Sequence, residues 1–225
     1  AKTFITNGVT ADIAIIAART GAEPGAKSIS LFFCETDRPG YKIGRKLDKV
    51  GQASSDVAEI FFDDLMVPAH YLLGAENQGF AYMMQELPQE RMSIAVTAHS
   101  AAQRAYDLTV DYVKQRQAFG HSLMEFQNTR FVLAELRTQL QVGWAHLDAC
   151  MSALVAKQLS TAQAASAKLF HTELRSQVTD ACVQLFGGYG YMNEYEIARL
   201  WKDTRIQRIY GGSSEIMKEL ISRAI

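Results

Sequence analysis

The hydrophobic pattern changes character once along the chain. In the first third, short runs of Ile, Phe and Val alternate with the turn-forming clusters NGVTAD, TGAEPGA, TDRPG and DDLMVP. This pattern predicts strands over about Thr3–Thr6, Asp12–Arg19, Ser28–Cys34, Tyr41–Leu47 and Ala58–Phe62. No useful helix fits between these turns, so a parallel βαβ sheet is excluded and a small antiparallel barrel or sandwich is expected. After the AENQG junction between Gly74 and Gly79, apolar positions recur at helical spacing. One helix is predicted from Gly79 to Arg116, with an early kink or break at Pro88, and another from Ser122 to Leu159. A third starts behind Ser160 as N-cap and ends at Gly187–Gly188. Shorter helices follow over Glu194–Tyr210 and Ser213–Ala224, and long helices joined by short turns pack as an antiparallel bundle.

Composition supports the two regimes. All four prolines, Pro24, Pro39, Pro68 and Pro88, lie in the first 88 of 225 residues. The formal net charge is −1, and basic and acidic residues balance on both sides of Gly74. That argues against a nucleic acid or a polybasic membrane surface as partner. Cys34, Cys150 and Cys182 are an odd, scattered set, fitting a reducing compartment better than a disulfide framework. The apolar runs, such as Ile13–Ala18, are too short for membrane insertion, and no signal peptide is visible. The opening AKTFITNG already reads as strand and turn, so a fragment beginning inside a domain is expected.

Four segments could carry chemistry. In FITNG, Phe4 and Thr6 are two apart and would share a strand face, one for packing on a flat ring and one for bonding its edge. In KQRQAFG, Arg116 ends a helix and could offer its fork of donors to a pyrophosphate; Gln127 is a further polar candidate. In YGGSSEIMKE, Gly211 and Gly212 allow a tight turn, and Ser213 or Ser214 can cap the last helix. In ELPQERMSIA, Glu90 stands among apolar residues, where a carboxylate suits general-base work. Each has an ordinary alternative: strand core, solvated helix end, simple cap, solvated carboxylate. The five histidines form no pair at metal-ligating spacing, so no metal site is expected, and GGYG follows a helix rather than a strand, so it is no dinucleotide fingerprint.

Taken in order, FITNG, GQASSDVAEIFFDDLMVP, ELPQERMSIA, KQRQAFG, QLFGGYGYMNEY and RIYGGSSEIMKELISRAI resemble the acyl-CoA dehydrogenase family, most closely its long-chain branch. The resemblance implies an α+β chain. Residues 1–74 would be part of an antiparallel β-barrel domain, and residues 75–225 an antiparallel four-helix-bundle domain. An N-terminal helical domain would be absent. It also implies an FAD enzyme that oxidises fatty acyl-CoA thioesters to trans-2-enoyl-CoA. An electron-transfer flavoprotein would be the electron acceptor, the assembly would be a homo-oligomer, usually a tetramer, and the host compartment would be the bacterial cytoplasm or the mitochondrial matrix. Many members carry the catalytic Glu in a YEGT segment, where this chain has Gly211; the long-chain branch places it on the first helix of the C-terminal domain, which matches Glu90. By the same carry-over, Phe4, Ile5, Thr6, Phe119, Ser213, Ser214 and Glu215 match FAD contacts, and Arg116, Gln127, Gln184, Leu185, Phe186, Gly187 and Gly188 match contacts that in the family reach the FAD of a neighbouring subunit. Arg91, Tyr210 and Gly212 match the substrate side, and Phe4 stands where relatives often have Trp. Two rival readings are an acyl-CoA oxidase or flavin monooxygenase relative, and a non-catalytic helical assembly module.

Overall fold

A computed structural model describes all residues, 1–225, as two compact units, Ala1–Glu86 and Leu87–Ile225. The first unit holds β1 (Lys2–Thr6), β2 (Ile13–Arg19), β3 (Ile29–Glu35), β4 (Tyr41–Lys46), β5 (Val57–Phe62) and the short β6 (Leu72–Leu73). All their pairings are antiparallel, as the turn spacing predicts. β2 and β3 pair without interruption from Ile13 opposite Glu35 to Arg19 opposite Ile29, a ladder suited to their branched and aromatic residues.

The expected barrel is not closed by these strands. They form two separate three-stranded sheets, ordered β1-β5-β4 and β2-β3-β6. The turn after β3 explains the switch. Gly40 adopts φ +93°, and a side chain there would meet the Asp63 carbonyl at 2.5 Å. The Asp63 amide donates to the Gly40 carbonyl at 2.9 Å, so the chain is drawn against the end of β5 and β4 pairs there. A second irregularity sits in β1. The register slips between Lys2 and Ile5, and Phe4 has φ +61°. Phe4 and Thr6 are both exposed, but the bulge interrupts the two-residue alternation on which placing them on one face relied.

Helix α1 (Gly79–Gln115) runs on into the second unit. It continues unbroken through Pro88, against the expected break, and the burial of Met92 and Ala95 just beyond anchors the following turns. The two-stranded ribbon of β7 (Gln117–Ala118) and β8 (His121–Ser122) was not foreseen. Its turn residues Phe119 and Gly120 both have positive φ, as a tight hairpin turn requires. Ser122 and Glu125 form a capping box on a single 3-10 turn, so α2 (Gln127–Val155) begins later than its predicted start. α3 (Thr161–Phe186) starts behind Ser160, whose hydroxyl accepts from the Gln163 amide at 3.1 Å, a cap worth about 1 kcal/mol. α4 (Glu196–Thr204) and α5 (Ser214–Ser222) complete the unit. Three long helices and two of nine residues therefore stand where five helices were predicted; the fourth is shorter than expected, because the chain leaves α4 at Thr204 into a 3-10 turn, Arg205–Arg208, rather than extending it to Tyr210.

Two apolar clusters hold these helices. Ala102, Ala105, Leu136, Leu140, Leu174, Val178 and Ile197 join α1, α2, α3 and α4. Met92, Ala95, Leu147, Cys150 and Ala167 form the second, between α1, α2 and α3. Between the apolar side chains lie two fully buried histidines. His99 and His171 meet at 3.1 Å through their Nδ1 atoms, with His146 stacked on His171 and Trp144 edge-on to His99. Gly143 makes room, since a side chain there would lie 2.6 Å from the His99 ring. Burial pushes the His171 pKa down to about 3, and that of His99 down as well. The unfolded chain binds these protons near the ordinary histidine value, so it holds more protons than the fold as pH drops below it. The fold is expected to lose stability progressively below about pH 6.5. Thermal midpoints measured down to about pH 4 are expected to fall; a flat profile would contradict a neutral buried pair.

Candidate functional site

The second unit brings most of its candidate residues into two places. The first is the end of α3. Gly187 caps the helix with φ +60°, and side chains added at Gly187 or Gly188 would meet nothing within 4 Å. A bare backbone therefore faces open space. Around it Tyr112, Arg116, Leu123, Gln184, Leu185, Phe186, Tyr189 and Met192 line a cavity of about 580 Å³. The Arg116 guanidinium lies over the Tyr189 ring, 5.4 Å from its centroid, which orients its remaining donors. Phe186 itself is buried; it stacks on Tyr112 at 4.0 Å, and the Tyr112 hydroxyl donates to the Phe186 carbonyl at 3.3 Å. The Phe186 side chain therefore belongs mainly to the core.

The second place is the turn before α5. Gly211 and Gly212 both adopt left-handed conformations, with φ +64° and +98°. An added side chain at Gly211 would lie 2.3 Å from Cδ1 of Ile94, and one at Gly212 would lie 2.6 Å from Cε of Met217. Ile94 sits on α1 one helical turn beyond Glu90, so the two share a helix face. Glu90 is exposed; its neighbour Arg91 is buried, with its Nε lacking a partner. Burial lowers the Arg91 pKa against the opposing pull of Glu90.

Ser213 caps α5, its hydroxyl accepting from the Ile216 amide at 3.4 Å. The Ser214 hydroxyl instead donates to Glu173 at 2.9 Å, and Arg208 also donates to Glu173, so Ser214 ties α5 to α3. Hydrogen bonds from its own amide and from Ser213 hold the Glu215 carboxyl below its usual range. Tyr210 is half-buried at the start of the turn. Phe119 lies on the connection between α1 and α2 and Gln127 is the first residue of α2, both outside the cavity lining; Phe119 is 94% exposed in a left-handed conformation, φ +52°. Phe4, Ile5 and Thr6 belong to the first unit.

Models of the acyl-CoA dehydrogenase C-terminal domain and middle domain match residues 77–225 and 1–65. The chain belongs to the acyl-CoA dehydrogenase family. It is 49% identical over its whole length to the mitochondrial long-chain specific acyl-CoA dehydrogenase of Sus scrofa, covering 53% of that protein. A crystal structure of an acyl-CoA dehydrogenase from Geobacillus kaustophilus superposes with a TM-score of 0.95 at 44% identity, over 99% of this chain and 59% of that one. Butyryl-CoA dehydrogenase from Megasphaera elsdenii superposes with a TM-score of 0.94 at 37% identity, over 99% of this chain and 58% of that one. The chain thus spans about half the length of the curated relatives it matches.

Two features of this acyl-CoA dehydrogenase family chain escaped the sequence reading. Tyr112, Tyr189 and Met192 join the cavity through packing between α1 and the end of α3. Lys168 is fully buried on α3 beside Ala164, Ala165 and Ala167. A lysine inside that alanine-rich face was the available signal. The tight approach of Gly211 to Ile94 makes a direct test. Gly211→Ala is expected to cost about 1–3 kcal/mol in thermal unfolding, with Ile94→Ala restoring only part because the backbone conformation stays unfavourable. An unchanged midpoint would contradict the contact.

Proposed function

We propose that the full-length protein dehydrogenates fatty acyl-CoA thioesters to trans-2-enoyl-CoA, with Glu90 as the base. The observation that carries this reading is the Gly211–Ile94 contact. Gly211 has no carboxylate, and its side-chain space is already filled by α1. α1 packs directly on Gly211, and Glu90 lies one turn from Ile94 on the same face of that helix. The α-proton of a thioester is weakly acidic, so its removal needs a close carboxylate freed of water by the bound acyl chain. Glu90 takes that proton onto a carboxylate oxygen. Arg91, Tyr210 and Gly212 form the substrate side.

The bare Gly187–Gly188 backbone, the cavity beside it and the Arg116 guanidinium fit a large anionic dinucleotide, and FAD is the group we assign there. Gln184, Leu185 and the Phe186 backbone complete that cradle. Phe4, Ile5, Thr6, Phe119, Gln127, Ser213, Ser214 and Glu215 are further FAD contacts by resemblance. The strained, exposed aromatics Phe4 and Phe119 support such a role, since an unfavourable backbone at an exposed ring is consistent with a fixed partner. When bound, FAD supplies the acceptor for the β-hydrogen as hydride. An electron-transfer flavoprotein as acceptor, a homotetramer, and a location in the bacterial cytoplasm or mitochondrial matrix complete the reading. We also read residues 1–74 as part of a β-barrel domain and 75–225 as a four-helix-type domain; no helix is long and apolar enough to cross a membrane.

The test is Glu90→Gln in the full-length protein. Turnover with an acyl-CoA and an artificial acceptor is expected to fall by about a hundredfold to ten-thousandfold while flavin absorbance stays unchanged. Near-normal turnover would overturn the assignment.

A further inference from the structure

The Gly211–Gly212 turn is held from behind by a residue that the dehydrogenation reading leaves without a role. Lys168 is fully buried on α3, and its Nζ donates to the Gly212 carbonyl at 2.6 Å. A buried ammonium is costly unless it is well paired, and an uncharged side chain of similar length would fill the same space at less cost. Charged groups act on it from each element around it. Arg91 on α1 repels it, whereas Glu173 on α3 and Glu215 on α5 attract it. Glu173 is already engaged by Arg208 and Ser214, and Glu215 is exposed. The short bond to Gly212 is therefore the specific contact of this ammonium. Its acceptor lies in a turn of two left-handed glycines, the most permissive backbone available. Such a turn keeps one geometry only if something outside it fixes a carbonyl.

We propose that Lys168 is a positioning residue: its buried ammonium clamps the Gly212 carbonyl and so holds the Gly211–Gly212 turn against Ile94, fixing the wall opposite Glu90. The proposal rests on reading that wall as part of the acyl site. Lys168→Met keeps the packing and removes the clamp. In the full-length flavoprotein it is expected to leave the thermal midpoint and the flavin absorbance near wild-type values. Amide hydrogen exchange over Gly211–Ile216 is expected to quicken about tenfold or more. kcat is expected to fall by about tenfold or more with little change in KM, because the turn shapes the reacting geometry rather than the bulk of binding. Exchange and kcat both within about twofold of wild type would overturn the proposal.

A measurement on the unmodified protein covers a variant that fails to fold. Burial lowers the Lys168 pKa to about 8. The unfolded lysine still holds its proton above that value, so the stability contributed by this group rises between about pH 8 and about pH 10.5. Loss of the charge weakens the clamp over the same window. Exchange at 211–216, corrected for its intrinsic pH dependence, is expected to speed up as global stability holds or rises; parallel slowing of both would overturn the proposal. The exchange results do not depend on turnover. If Glu90→Gln keeps its activity, the base assignment fails while the clamp is still judged on its own data.

Discussion

Helix α3 is enclosed on most of its circumference, and the second unit is organised around satisfying what that enclosure buries. Ala164, Ala165, Ala167, Leu174, Val178 and Cys182 need only close packing, which the two apolar clusters provide. The polar residues on the same helix need partners, because an unpaired buried polar group costs about 1–3 kcal/mol. Thr172 bonds back to the Lys168 carbonyl of its own helix, and the others reach neighbouring elements. His171 meets His99 of α1, and Lys168 meets the Gly212 carbonyl before α5. Arg175 donates to the Leu200 carbonyl of α4, and Thr179 meets Thr204 at the end of α4. The surrounding elements are thus fixed to α3 by specific polar contacts as well as by apolar area.

This arrangement sets the two candidate regions along α3. Its C-terminus opens into the glycine-lined cavity beside Arg116, and its N-terminal half supports the turn that abuts α1. The turn is tight because Ile94 occupies the space that a side chain at Gly211 would need. Moving a carboxylate between the turn and α1 is therefore a steric exchange as much as a chemical one. A small residue at 211 leaves room for a branched residue at 94, one turn from Glu90, the base we propose.

Much of this was legible in the sequence, for physical reasons that can be named. Turn clusters rich in Gly, Pro, Asn and Asp set the strand limits to within a residue or two, and Ser160 as an N-cap marked the start of α3. The order of six weak motifs was enough to give the family. Long-range pairing was not legible. Which strands share a sheet depends on the Gly40–Asp63 contact, far apart in sequence. The ribbon around Phe119 and Gly120 was hidden because its first turn position holds a bulky aromatic in place of the usual Asn or Gly. Pro88 suggested a break that tertiary anchoring overrides. Lys168 and the His99–His171 pair were visible as letters, but their burial depends on helices more than seventy residues apart for the histidines and more than forty for the lysine.

The central claim is that the proton-removing carboxylate sits on α1 rather than on the turn before α5. Its most direct measurement is loss of deuterium from the α-carbon of a labelled acyl-CoA in ordinary water, compared between the wild-type flavoprotein and Glu90→Gln. The account predicts wash-out by the wild type and retention of label by the variant. Wash-out at equal rates would contradict it.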